Sequence, residues 1–170
     1  TAGDNALATL GARTGATAEQ MGKYRDVMNE IYRSNFGESF DDVSDAMGVV
    51  IQTFGELDKA SLQNITQKAI ALRDTFGFDY QESMRAVNSM MDQFGLTADE
   101  AFNLIAQGAQ KGLDQNGDLL DTINEYSVQF STAGYSADEM FNMLKNGADS
   151  GTWSVDKLGD AVKGFNIRAK

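Results

Sequence analysis

The sequence predicts an all-α fold of about eight short helices in stacked helical hairpins, forming either a helical repeat or a compact bundle. Three observations predict it. Apolar residues recur at steps of three and four in eight successive blocks. Short capping sequences open the blocks and glycines close them. The 170 residues include no proline, which costs about 3 kcal/mol inside a helix. No stretch alternates with period two for long enough to argue a strand.

Residues 1–16 are rich in Gly, Ala and Thr. They read as a flexible lead-in with at most a short helix around Ala6 to Leu10. Residues 17–170 read as a single helical domain. Its first block carries Met21, Tyr24, Met28, Ile31 and Tyr32; its second carries Phe40, Val43, Met47, Val50, Ile51 and Phe54. The third carries Leu62, Ile65, Ala69 and Leu72, and the fourth Tyr80, Met84, Val87, Met91 and Phe94. Ala101, Phe102 and Ile105 mark the fifth, and Leu119, Leu120, Ile123, Tyr126 and Phe130 the sixth. Met140, Phe141 and Leu144 mark the seventh, and Val155, Leu158, Val162 and Phe165 the eighth.

The starts are chemically marked. Thr17 with Gln20, Thr97 with Glu100, and Ser136 with Glu139 have the capping-box spacing. Ser39 with Asp42 and Asp79 with Glu82 are looser versions. Ser154 is placed to cap the eighth helix, with Trp153 and Leu158 as a hydrophobic staple. Gly37, Gly55, Gly77, Gly95, Gly112, Gly134 and Gly151 are placed to end helices, and four of them follow a phenylalanine directly. The run from Gly95 to Gly112 aligns without gaps to Gly134 to Gly151, an offset of 39, and Phe36-Gly37 and Phe54-Gly55 recur at Phe76-Gly77 and Phe94-Gly95, an offset of 40. A helical hairpin of about 40 residues therefore repeats. The glycine spacings also fit two three-helix units of nearly 60 residues.

Charge and missing residue types exclude whole classes of function. The formal net charge is -11, which disfavours phosphate backbones and anionic lipid surfaces. There is no cysteine and no histidine. This removes disulfides, thiolate metal sites, the commonest general base and the usual pH switch. No apolar run approaches the roughly 20 residues that span a bilayer, and no signal peptide is visible. The chain also lacks an initiator methionine and reads as either a processed product or a fragment cut from a longer protein.

Candidate chemistry has a structural explanation in each case. Asp41-Asp42, Asp99-Glu100 and Asp138-Glu139 could be acid/base pairs. Each falls in a first helical turn, where carboxylates complement the helix dipole, and neighbouring helical residues diverge by about 100°. Asp114, Asn116, Asp118 and Glu125 match positions 1, 3, 5 and 12 of an EF-hand loop. Position 6 requires glycine and is Leu119, so a turn capped by Asn116 or Asp118 is the better reading. Met84, Met90 and Met91 could form an adaptable surface but suit core filling. Lys157, Lys163, Arg168 and Lys170 make a basic end that serves a helix dipole. No catalytic residue, cofactor-binding residue or metal ligand is assigned, and no enzyme is expected.

One resemblance adds a function. Asp118-Leu119-Leu120 with Glu125-Tyr126-Ser127, and Asp160-Ala161-Val162-Lys163 with Phe165-Asn166-Ile167-Arg168, lie within Phe94 to Arg168. That stretch, with Asp74 to Gly95 before it, resembles the tape measure proteins of long-tailed bacteriophages and prophages. The resemblance implies a virion structural protein that sets tail length and supports tail tube assembly and DNA ejection. Its partners would be the tail tube protein, tail assembly chaperones and other tail components, with self-association possible and no direct nucleic-acid binding. It would be assembled in the bacterial cytoplasm and reside in the tail. The alternative is a non-enzymatic helical-repeat module whose acidic surface binds a protein partner.

Overall fold

In the computed structural model the described residues are 1–149, with side chains described through 147. Among them are eight α-helices and no strand. They are α1 (Ala2–Thr14), α2 (Ala18–Arg33), α3 (Phe40–Phe54), α4 (Lys59–Phe76), α5 (Tyr80–Phe94), α6 (Ala98–Gln110), α7 (Leu119–Thr132) and α8 (Ala137–Asp149). The first seven apolar blocks of the sequence become α2 to α8. The eighth block, its Ser154 cap, the Trp153–Leu158 staple and the basic residues Lys157, Lys163, Arg168 and Lys170 lie outside the described residues.

The stretch expected to be a flexible lead-in is instead α1. Thr1 caps it by accepting a hydrogen bond from Asp4 N at 3.2 Å, and Gly15 closes it in the left-handed conformation. Its apolar weight is small, but Ala6, Leu7 and Leu10 are all buried. Small residues let it pack closely. A Cβ on Gly11 would collide with the Met21 thioether, and Gly3 lies against the Phe40 ring.

The chain divides into two compact units, where the sequence suggested one domain over 17–170. The first is Thr1–Met84 and the second begins at Arg85, so the boundary falls inside α5. In the first unit α3 is central, packing on α1, α2 and α4. Its position explains why Val43, Ala46, Met47, Gly48, Val49 and Val50 are all buried. Ser44 Oγ donates to Ala6 O at 2.9 Å, tying α1 to α3 with a buried hydrogen bond. Arg13 reaches across Gly48 to Asp45 Oδ1 at 2.9 Å and Gln52 Oε1 at 3.1 Å.

In the second unit α8 packs on both α6 and α7. Gly108 makes room for the Phe141 ring: a Cβ there would sit 2.9 Å from it. Ser131 Oγ of α7 donates to Gln93 O of α5 at 2.7 Å. The end of α7 is a Schellman turn. Gly134 takes φ 94, and Gly134 N and Tyr135 N donate to Ser131 O and Phe130 O. The Phe130 and Tyr135 rings then meet edge-on at 5.8 Å, the apolar contact that such turns carry.

A 40-residue register runs through the described helices. Odd-numbered helices follow Thr1, Ser39, Asp79 and Asp118; even-numbered ones follow Thr17, Asp58, Thr97 and Ser136. The buried trio Ala6, Leu7 and Leu10 recurs, 40 residues on each time, as Ala46, Met47 and Val50, then Ala86, Val87 and Met90, then Tyr126, Ser127 and Phe130. Helix α1, which the sequence reads as a lead-in, thus occupies the first half of the first repeat.

Candidate functional site

The acidic pairs are where the chemistry of the sequence concentrates. Glu100 Oε1 accepts from Thr97 N at 2.9 Å while Thr97 Oγ1 accepts from Glu100 N at 3.1 Å. Glu139 and Ser136 form the same box at 3.0 and 3.1 Å. Thr17 and Gln20 form another at 2.8 and 3.2 Å. In each box the carboxylate or amide is occupied with an amide that the first helical turn cannot satisfy itself. Glu82 N and Asp42 N are capped by Asp79 and Ser39.

Asp42 has a second role that local spacing did not reveal. Its Oδ1 accepts from Arg73 Nη1 at 2.6 Å and from the Tyr80 hydroxyl at 2.9 Å. Its Oδ2 accepts from Arg73 Nη2 at 2.7 Å and from Glu38 N at 2.9 Å. Arg73 also bonds Asp74 Oδ1 through Nε at 3.0 Å and lies 4.9 Å from the centre of the Tyr80 ring. The Arg73 hydrogen bonds, helped by Glu38 N and Tyr80 and opposed by burial, hold Asp42 below the usual carboxylate range. Asp42 in turn holds Arg73 more firmly protonated. Burial first, then the Asp42 carboxylate, push the Tyr80 phenol well above its ordinary value. A carboxylate with four donors around it is a fixed acceptor. It pins the start of α3 to the end of α4 and the first residue of α5. Arg73 and Tyr80 were missed as site residues because they lie 31 and 38 positions from Asp42.

The calcium-like run forms a turn with a different cap from the one expected. Asp114 Oδ1 accepts from Leu119 N at 3.1 Å. Asp118 stands at the N-cap position but makes no side-chain cap bond there. Gly117 at φ 73 and its bond to Asp114 O at 2.9 Å fold the loop back, so that Asp114 reaches the helix start before Asp118 or Asn116 can. Glu125 is exposed on α7. Among the described residues no three acidic side chains converge as a metal site would require. Met84 and Met90 are fully buried and Met91 is half-buried, so two of the three serve as core.

The first unit also carries a polar groove of about 600 Å³ between the start of α2 and the α3–α4 turn. Lys23 pairs with Glu56 at 3.3 Å and donates to Leu57 O at 2.6 Å, and Lys59 pairs with Asp26 at 2.6 Å. Lys59 holds Asp26 below its ordinary value, and Gln20 with Lys23 does the same to Glu56. These charges are satisfied in cross-linking the two segments. No described helix is long and apolar enough to cross a membrane.

The described residues thus form an all-α chain whose capped helix starts recur about every 40 residues, with Asp42, Glu100 and Glu139 serving caps or an inter-helix pin. Comparison with protein families matches residues 18–170 to the family described as phage-related minor tail protein. The chain belongs to that family, and its role is that of a structural protein of a phage tail. It is 39% identical over 69 residues to the probable tape measure protein of Streptomyces phage phiC31. That match covers 40% of this chain and 10% of the relative, so the chain spans a small part of that protein's length. No solved structure matches it.

Proposed function

We propose that this chain is a segment of a tape measure protein, acting through protein contacts to set tail length. The observation that carries this reading is the 40-residue register of caps and buried trios along α1 to α7. A chain assembled from equivalent units converts repeat number into length, the property a molecular ruler needs. The identity to a probable tape measure protein points the same way. In this reading the tail tube protein, assembly chaperones and other tail components are its partners, and further copies of the chain can join them. It works during tail assembly in the bacterial cytoplasm, stays in the virion tail and takes part in DNA ejection. In this reading it performs no catalysis: one carboxylate of each acidic pair, Asp42, Glu100 or Glu139, is committed to a cap or to Arg73.

A nonsense codon at Gln20 in the phage gene tests necessity. In a non-suppressing host the account expects heads without tails of normal length, and in a suppressing host normal particles. Normal tails in both hosts would refute the assignment.

A further inference from the structure

The structure assigns Asn116-Gly117 as a self-modification site, at which Asn116 converts to aspartate and isoaspartate with loss of ammonia. The sequence contains the Asn-Gly pair twice, at 116–117 and 146–147, and the fold treats the two differently. Asn116 and Gly117 are both exposed in the α6–α7 connection. Gly117 has φ 73 and no side chain to hinder its nitrogen. That nitrogen is tied by a turn hydrogen bond to Asp114 O at 2.9 Å, which one turn rotation releases. Asn146-Gly147 lies within α8, where helical dihedrals keep the following backbone nitrogen turned away from the side-chain carbonyl.

The reaction needs only water. The Gly117 backbone nitrogen attacks Cγ of Asn116, and the bond from Cγ to the side-chain nitrogen breaks. Ammonia departs with the proton lost from Gly117, leaving a cyclic imide. Water then adds across one of the two imide C–N bonds. Opening at Cγ leaves aspartate with an unchanged backbone. Opening at the main-chain carbonyl leaves isoaspartate, with the chain routed through the side chain.

Both products act on the α7 cap. Aspartate at 116 adds a third carboxylate between Asp114 and Asp118, a charge change of the kind that reshapes loops by local repulsion. Isoaspartate lengthens the backbone inside the Gly117–Asp114 turn and pulls Asp114 away from Leu119 N. The connection would therefore loosen as the protein ages.

The test is incubation of the folded chain at mildly alkaline pH and body temperature, followed by peptide mapping by mass spectrometry and limited proteolysis. The expected result is progressive amide-to-acid conversion at Asn116 ahead of Asn146, with cleavage between Gly112 and Asp118 rising in step. Asn116→Gln should abolish both changes, and Gly117→Ala should slow conversion severalfold. Conversion at Asn146 as fast as at Asn116, or an inert Asn116 in the folded chain, would overturn the inference. Unchanged cleavage in the converted protein would overturn its claimed effect on the cap.

Discussion

Asp42 shows how far one side chain can be committed to architecture. Its folded pKa lies below the unfolded value of about 3.9, so it stabilises the fold at any pH well above that value. This contribution is lost as pH falls through the folded pKa. Asp42→Asn keeps the size but cannot form the charged, bidentate pair with Arg73. It should cost about 2 kcal/mol at neutral pH and flatten the acid limb of the stability profile, measured by urea denaturation across pH. An acid limb as steep as that of the parent would show that Asp42 does not carry it. Thr66 is the opposite case: its hydroxyl is fully buried and meets no partner among the described residues. Thr66→Val replaces it with a methyl of similar shape and should raise stability by about 1 kcal/mol, seen as a higher denaturation midpoint. Sequence showed that Asp42 belonged in a first turn, because capping is a local matter. It could not show Arg73 and Tyr80 beside it, because only the packing of α3 on α4 brings them there.

Helix boundaries were legible for the same reason, and the exceptions are instructive. The helices beginning after Thr17, Ser39, Thr97 and Ser136 start where their caps announce them. The end of α2 does not fall at Phe36-Gly37. Asn35 takes the left-handed position at φ 68, and Phe36 N reaches back to Ile31 O at 3.2 Å. Asparagine tolerates that conformation through its short polar side chain, so it ends α2 before the glycine can. The first helix was missed because it docks by closeness more than by apolar weight. Removing residues 1–16 would take away the helix that packs on α3 and α2, with its buried Leu7 and Leu10, each worth roughly 1.5–3 kcal/mol when buried. The expected outcome is a lower thermal midpoint and faster amide exchange in α3; unchanged exchange there would mean that α1 is dispensable. In the second unit, Gly108→Val would force a branched side chain onto Phe141. It should cost about 1–3 kcal/mol, read as a drop in the melting temperature, and a neutral result would mean that α6 and α8 can separate freely. Thr97→Ala removes one half of a capping box and should cost about 1 kcal/mol by the same measurement.

At the scale of the whole molecule, the two halves of each repeat do different work. Odd-numbered helices present the buried trio, and even-numbered helices carry the capping boxes at Thr17, Thr97 and Ser136. The period was visible in sequence through its glycines. Its phase was not, because Ala6, Leu7 and Leu10 look unlike Tyr126, Ser127 and Phe130 until burial shows that they occupy equivalent places. Tail function was legible only through resemblance, since caps and glycines mark helix ends and say nothing of where the chain works. The most direct test of the account removes or duplicates residues 55–94 in the full-length phage protein. This excision joins Phe54 to Gly95 and so preserves the Phe-Gly junction and the register. Drawn out as one continuous helix the 40 residues would span about 60 Å, so tails imaged by electron microscopy should shorten by up to about 60 Å on deletion and lengthen by up to the same amount on duplication. Tails of unchanged length in particles that still assemble would contradict the account.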